Sequence, residues 1–155
     1  MDLGDIVELE GILPDLRARS KKQVLQELSD HAGEFVGVPA REIFDTLLQR
    51  ERLGSTGLGR GIAIPHIKLA NLDRIVCLFA RLHEPVDFDA IDGEPVDLVF
   101  VLLAPEHASG DHLKALSRIS RLIRAPSRLD ELRAARTADQ ILAILTSMGT
   151  TSHAA

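Results

Sequence analysis

The sequence predicts a single α/β domain, a mixed β-sheet flanked by helices on both faces, and three observations carry that expectation. Two runs in the middle of the chain, residues 75–82 and 96–104, are rich in Val, Ile, Leu and Phe and read as central strands. Segments with apolar residues at helical spacing lie on both sides of this strand-rich middle. The chain has 155 residues, 45% apolar and 26% charged, an ordinary composition with no repeat or low-complexity linker to divide it. The domain is read as residues 2–148, followed by a small, polar, flexible tail at 149–155.

Composition also excludes function classes. Aromatic residues make up 3%, five Phe with no Tyr or Trp, so no ring platform exists for bases to stack on. A formal net charge of −5 repels a polyphosphate backbone, and no nucleic-acid partner is expected. Cys77 is the one cysteine, which rules out an intrachain disulfide framework and a Cys-based zinc site. Its apolar neighbours Ile75, Val76, Leu78 and Phe79 make it a buried thiol. Asp2, Asp5, Glu8 and Glu10 stand where an export signal would be basic, and the longest apolar run, residues 98–104, is seven long. A cytoplasmic protein with no membrane insertion is expected.

In chain order, residues 12–16 suggest a first strand that Pro14 interrupts. Ser20 and Gln23 form a capping box, opening a helix with Val24, Leu25, Leu28, Ala32, Phe35 and Val36 until Gly37 stops it. Pro39 suits the first position of a second helix, with Ile43, Phe44, Leu47 and Leu48 as its apolar stripe and an end near Arg52. Residues 53–61 hold four glycines in nine, which no regular element tolerates. A short apolar stretch, Ile62-Ala-Ile64, then leads into Pro65-His66. Between the two central strands, residues 87–93 are polar and turn-rich, with room for a small edge element. Ser109 caps a helix marked by Leu113, Leu116, Ile119, Leu122 and Ile123; Ser127 caps a short one with Leu129 and Leu132. Thr137 and Gln140 form a second capping box before a last helix.

The chemistry should lie between Arg50 and His66. A Gly-rich loop leaves backbone N–H groups free to converge on an anion, and Ser55 and Thr56 add hydroxyls. No Gly-Lys pair occurs, which excludes a Walker loop, and a helix precedes the segment while a strand follows, the reverse of a dinucleotide fingerprint. Taken alone, such a loop is as readily a flexible connection. His66 follows it, and a neutral imidazole keeps a lone pair for attack on phosphorus. Arg50, in the last turn of its helix, is either a simple complement to the helix end or a planar fork for phosphoryl oxygens. His112 falls near the start of a helix, where the positive end disfavours imidazolium and welcomes an anion; a solvent-facing role is the alternative. His66, His107, His112 and Asp111 are the candidates for a metal site, but no His-Glu-x-x-His spacing supports one. No metal and no cofactor are expected.

These residues resemble a known family, the type-2 IIA domains of the bacterial phosphoenolpyruvate-dependent phosphotransferase system, and within it the nitrogen-regulatory branch. The resemblance runs from Asp2 to Met148 and is carried by Arg50-Glu51, Gly54-Ser-Thr-Gly57, Gly59, Gly61-Ile-Ala-Ile-Pro-His66, Phe88-Asp-Ala-Ile-Asp92, Pro95-Val-Asp-Leu98 and His112-Leu113. It implies that His66 accepts a phosphoryl group from the active-site histidine of a small histidine phosphocarrier protein. It also implies that Arg50 and His112 assist as charge stabilisers, while Gly54, Ser55, Thr56, Gly57, Gly59, Arg60 and Gly61 shape a phosphate loop. Regulation of partners such as sensor kinases or potassium transport systems is implied likewise. The alternatives are a sugar-transport IIA that passes phosphate to a fructose- or mannitol-type IIB domain, and a binding module that no longer transfers phosphate.

Two positions depart from the family pattern. Ile67 stands where Gly usually follows the active histidine, and a β-branched residue cannot take a positive φ cheaply in the turn expected there. Its side chain is expected on the rim of the site. Arg60 stands where Asn is common and, between two glycines, is expected to point outward from a loop tip.

Overall fold

The two apolar runs pair antiparallel at the centre of the sheet, as β5 (Val76–Val86) and β6 (Val96–Pro105), with Phe79 opposite Phe100 and Leu78 opposite Val101. In this computed structural model, residues 3–108 and 110–151 are described. One turn of 3-10 helix at Leu3–Asp5 precedes β1 (Val7–Leu16), followed by α1 (Lys21–Gly33) and α2 (Ala40–Leu53). Three short strands, β2 (Gly57–Gly59), β3 (Ile62–Ala63) and β4 (His66–Leu69), lead to the central pair, and α3 (Asp111–Ile123), α4 (Pro126–Ala134) and α5 (Ala138–Thr151) close the chain. Among the described residues the sheet has six strands in the order β1-β5-β6-β3-β2, with β4 also on β6. Parallel pairs (β1 with β5, β3 and β4 with β6) mix with antiparallel ones, as expected.

Alternation along the central strands divides the core in two. Leu78, Ala80, Leu82, Val99, Val101 and Leu103 pack with the apolar stripes of α1 and α2. Cys77, Phe79, Leu98, Phe100 and Leu102 face the other way, with residues of α3, α4 and α5. Both faces are covered, which is why these strands read as continuous apolar runs. The Phe79 and Phe100 rings meet edge to face at 4.9 Å, a favoured aromatic geometry.

Local signals act as expected at two helix starts. Ser20 Oγ accepts the Gln23 N–H at 3.1 Å, and Thr137 Oγ1 accepts the Gln140 N–H at 3.1 Å. Each Gln side chain reaches back one residue beyond the cap, to the N–H of Arg19 and of Arg136. Elsewhere the structure differs. Pro39 sits just before α2 with an extended backbone, and Pro126 rather than Ser127 opens α4, where its fixed φ suits the first helical position. β1 begins at Val7 and accommodates Pro14 because it is an edge strand with register irregularities. β2 lies inside the glycine-rich segment expected to be irregular, and β4 was not foreseen at all. Residues 87–93 contain no strand. α5 continues through Thr151, so residues 149–151 of the expected tail are helical; 152–155, Asp2 and the capping Ser109 lie outside the described residues.

Arg81 ties the layers together from within the sheet. Its Nε donates to the Pro14 carbonyl at 3.0 Å, and its Nη1 to the carbonyls of Leu132 at 2.9 Å, Arg133 and Ala135. One guanidinium thereby serves β1 and the unsatisfied C-terminal carbonyls of α4.

Candidate functional site

β3 and β4 run beside β6 in one unbroken parallel register: Ile62 faces Leu98, Ala63 faces Val99, His66 faces Leu102 and Ile67 faces Leu103. They are geometrically one strand, interrupted at Ile64-Pro65 because proline has no N–H for the ladder. The Pro65 carbonyl still accepts the Leu102 N–H at 2.9 Å. The Ile64 carbonyl instead accepts Nδ1–H of His66 at 2.8 Å. A carbonyl can only accept, so Nδ1 carries the proton of the neutral ring and the lone pair sits on Nε2.

His66 stands in a cavity of about 520 Å³ at the β4 edge of the sheet. Arg50 and Leu53 from α2, Ile67 and Lys68 from β4 and His112 from α3 line it as well. Arg50 Nη1 donates to the Gly54 carbonyl at 2.9 Å, which folds the side chain back over the end of α2. A guanidinium has five N–H donors in a rigid fork, so most remain for an anion. His112 is the second residue of α3, half-buried, and its Nδ1 is buried without a hydrogen-bond partner. Burial holds this ring below the ordinary histidine value, and the charges of Lys68 and His66 push the same way. The structure therefore brings Arg50, His66 and His112 to one cavity, as the sequence reading requires.

The glycine-rich loop does not line this cavity. None of Gly54, Ser55, Thr56, Gly57, Gly59, Arg60 or Gly61 lines the cavity. Several of their donors are taken by protein acceptors. Ser55 Oγ donates to the Phe88 carbonyl and itself accepts the Gly57 N–H at 3.0 Å. The Thr56 N–H and hydroxyl both bind the buried Glu51 carboxylate, at 3.0 Å and 2.5 Å. The Arg60 N–H goes to Asp92 Oδ2 at 3.0 Å, and the Arg60 carbonyl accepts from Arg133 at 2.7 Å. The glycines serve close packing: a Cβ on Gly57 would come within 2.9 Å of the Ala90 Cβ, and one on Gly61 within 2.6 Å of Arg133 and Asp97.

Both departures from the family pattern find explanations. Arg60 has φ +57°, a left-handed conformation that Asn and Gly adopt more easily than Arg. Its side chain is exposed and away from the cavity, the outward placement expected. No turn follows His66; β4 continues, so Ile67 needs no positive φ. Ile67 is not a rim residue either. It is 8% exposed and packs in the core with α1 and α2 while forming part of the cavity wall.

Lys68 was missed by sequence reasoning. The alternation His66-Ile-Lys-Leu69, polar at one parity and apolar at the other, was the signal that a strand carries Lys68 on the same face as His66. The other histidines lie elsewhere. His31 Nε2 donates to the Glu10 carbonyl, His83 Nδ1 is 2.8 Å from Asp15 Oδ1, and His107 is exposed. Among the described residues, no group of three His, Cys, Asp or Glu side chains is placed to hold a metal ion.

The model of the phosphoenolpyruvate-dependent sugar phosphotransferase system, EIIA 2, matches residues 5–148. The chain belongs to this EIIA family. A nitrogen regulatory protein of Bradyrhizobium diazoefficiens is 54% identical to it over 145 residues, covering 94% of this chain and 95% of the relative. The crystal structure of the nitrogen regulatory protein IIA-Ntr from Neisseria meningitidis superposes on this EIIA chain with a TM-score of 0.88 at 40% identity, over 93% and 99% of the two chains. A fructose-specific EIIABC component of Bacillus subtilis is 34% identical over 94% of this chain, which corresponds to 23% of that longer protein. The EIIA chain is thus more similar to these nitrogen regulatory proteins than to the fructose component.

Proposed function

We propose that this EIIA domain, residues 2–148, is a phosphohistidine carrier of the nitrogen-regulatory kind, taking its phosphoryl group on Nε2 of His66. One observation carries the reading: the Ile64 carbonyl holds Nδ1–H, so the nucleophilic lone pair belongs to Nε2 in a cavity shared with Arg50 and His112. The donor is a small protein bearing a phosphorylated histidine. The Nε2 lone pair forms a new N–P bond as the donor's N–P bond breaks, and that electron pair returns to the donor ring. No proton need leave Nε2, and Nδ1–H stays on the Ile64 carbonyl. Arg50 neutralises the phosphoryl oxygens as they pass, and a neutral His112 adds a polar contact. The chemistry needs no cofactor.

Similarity to nitrogen regulatory proteins supports a regulatory output, in which the phosphorylation state is read by partners such as sensor kinases or potassium transport systems. Among the described residues no helix is long and apolar enough to cross a membrane, and we place the protein in the cytoplasm. The likeness to the fructose component favours a second reading, in which the group passes onward to a sugar-specific IIB domain.

Intact-mass analysis after incubation with phosphoenolpyruvate and a purified donor system tests the reading. Wild type should gain one phosphoryl group and His66→Ala none; a labelled His66→Ala protein sinks the assignment. Arg50→Lys should fold normally yet transfer about 10²–10³ times more slowly in a single turnover, because an ammonium cannot reproduce the fork. Rapid loss of label to a fructose-type IIB domain would favour the transport reading.

A further inference from the structure

We propose that Lys68 is the second cation of the phosphoryl site, pairing with the phosphoryl oxygens once His66 carries them; this rests on the carrier reading above. Lys68 follows His66 by two residues on β4, so both project from the same face while Ile67 and Leu69 enter the core. Two residues of strand span roughly 6.6 Å, within reach of a four-carbon stem ending in a mobile ammonium. Both side chains line the same cavity.

The charge balance makes the case. Among the described residues the cavity wall carries two cations, Arg50 and Lys68, and no carboxylate, although the whole chain has a net charge of −5. Among the described residues no ion pair involves Lys68. Lys21 shows the alternative arrangement, bound to Glu51 at 3.0 Å and Asp89 at 3.1 Å. Arg50 is already shared with the Gly54 carbonyl. A phosphoryl group brings nearly two negative charges, more than one partly engaged guanidinium balances, and Lys68 is the remaining counter-charge at that wall.

The test is the equilibrium constant for phosphoryl exchange with the donor, measured by intact mass at low and high salt for wild type, Lys68→Met and Lys68→Arg. Lys68→Met should lower the constant roughly five- to tenfold at low salt, with a smaller loss at high salt, and Lys68→Arg should stay near wild type. If wild type takes up the group and Lys68→Met reaches the same equilibrium, the Lys68 assignment falls while the carrier reading stands. Equal losses in the Met and Arg variants also overturn it, since shape rather than charge would then matter. A wild type that takes up no group at all removes the carrier reading and this inference with it.

Discussion

His112 gives the site a pH handle, because burial, the Lys68 charge and the His66 ring all disfavour its protonated form. Its folded value lies below the unfolded one, so the unfolded chain binds more protons in mild acid. The stability this neutral ring contributes is complete above about pH 6.5 and is lost as the pH falls through the depressed folded value. We expect urea midpoints to drop more between about pH 7.5 and about pH 5 in wild type than in His112→Gln. Ring resonances in an NMR titration should place His112 below the ordinary histidine range; a value at or above it would refute the assignment. At this scale much of the site was legible. Arg50, His66 and His112 carry groups whose chemistry is explicit in the residue type, and all three reach one cavity. In the loop, glycine has two uses that look alike in sequence. Gly57 and Gly61 admit neighbouring atoms where a Cβ would collide, instead of baring N–H groups to an anion.

Among the elements, the end of α2 determines where Arg50 points, and Glu51 fixes that end. Its carboxylate is almost wholly buried and collects the Lys21 ammonium together with the N–H and hydroxyl of Thr56. These bonds join α1, α2 and the glycine-rich loop. Burial alone would lower the Lys21 value, but the hydrogen bonds and charges of Glu51 and Asp89 outweigh it and raise it. We expect Glu51→Leu to cost about 3–5 kcal/mol of unfolding free energy in urea, since it strands Thr56 and half-releases Lys21. A loss under about 1 kcal/mol would show that the network is dispensable. Helices were the more legible elements, because capping residues and apolar periodicity agree at Ser20 and Thr137. β4 was hidden by its shortness and by Pro65, which reads as a strand breaker when its partner β6 is out of view. β2 was hidden by glycines that a three-residue edge strand tolerates.

For the molecule as a whole, two-sided burial of the central sheet makes the interior accessible only through large-scale opening. Cys77 on β5 reports this directly: it is fully buried, and burial pushes its thiol up to about 12. Alkylation by a small thiol reagent at neutral pH should therefore track global unfolding and change with denaturant as the urea midpoint does. Labelling of the native protein at the rate of a free thiol would contradict that placement. The α/β class was legible at this scale because the two apolar runs and their flanking helical stripes leave few arrangements that cover both sheet faces. The order of the strands was not, since β1, β3 and β4 find their partners across long stretches of sequence. The interrupted strand also has a meaning for solubility. An open strand edge can template the backbone of another chain, yet the side of the sheet beyond β6 is divided into pieces of three, two and four residues with a proline in the break. At the opposite edge, β1 carries Pro14, register irregularities and exposed Glu8 and Glu10. Two neighbours in the break therefore do different things: Pro65, with no N–H to offer, denies a neighbouring molecule a continuous edge on which to aggregate, while the Ile64 carbonyl, turned away from β6, aims the His66 ring.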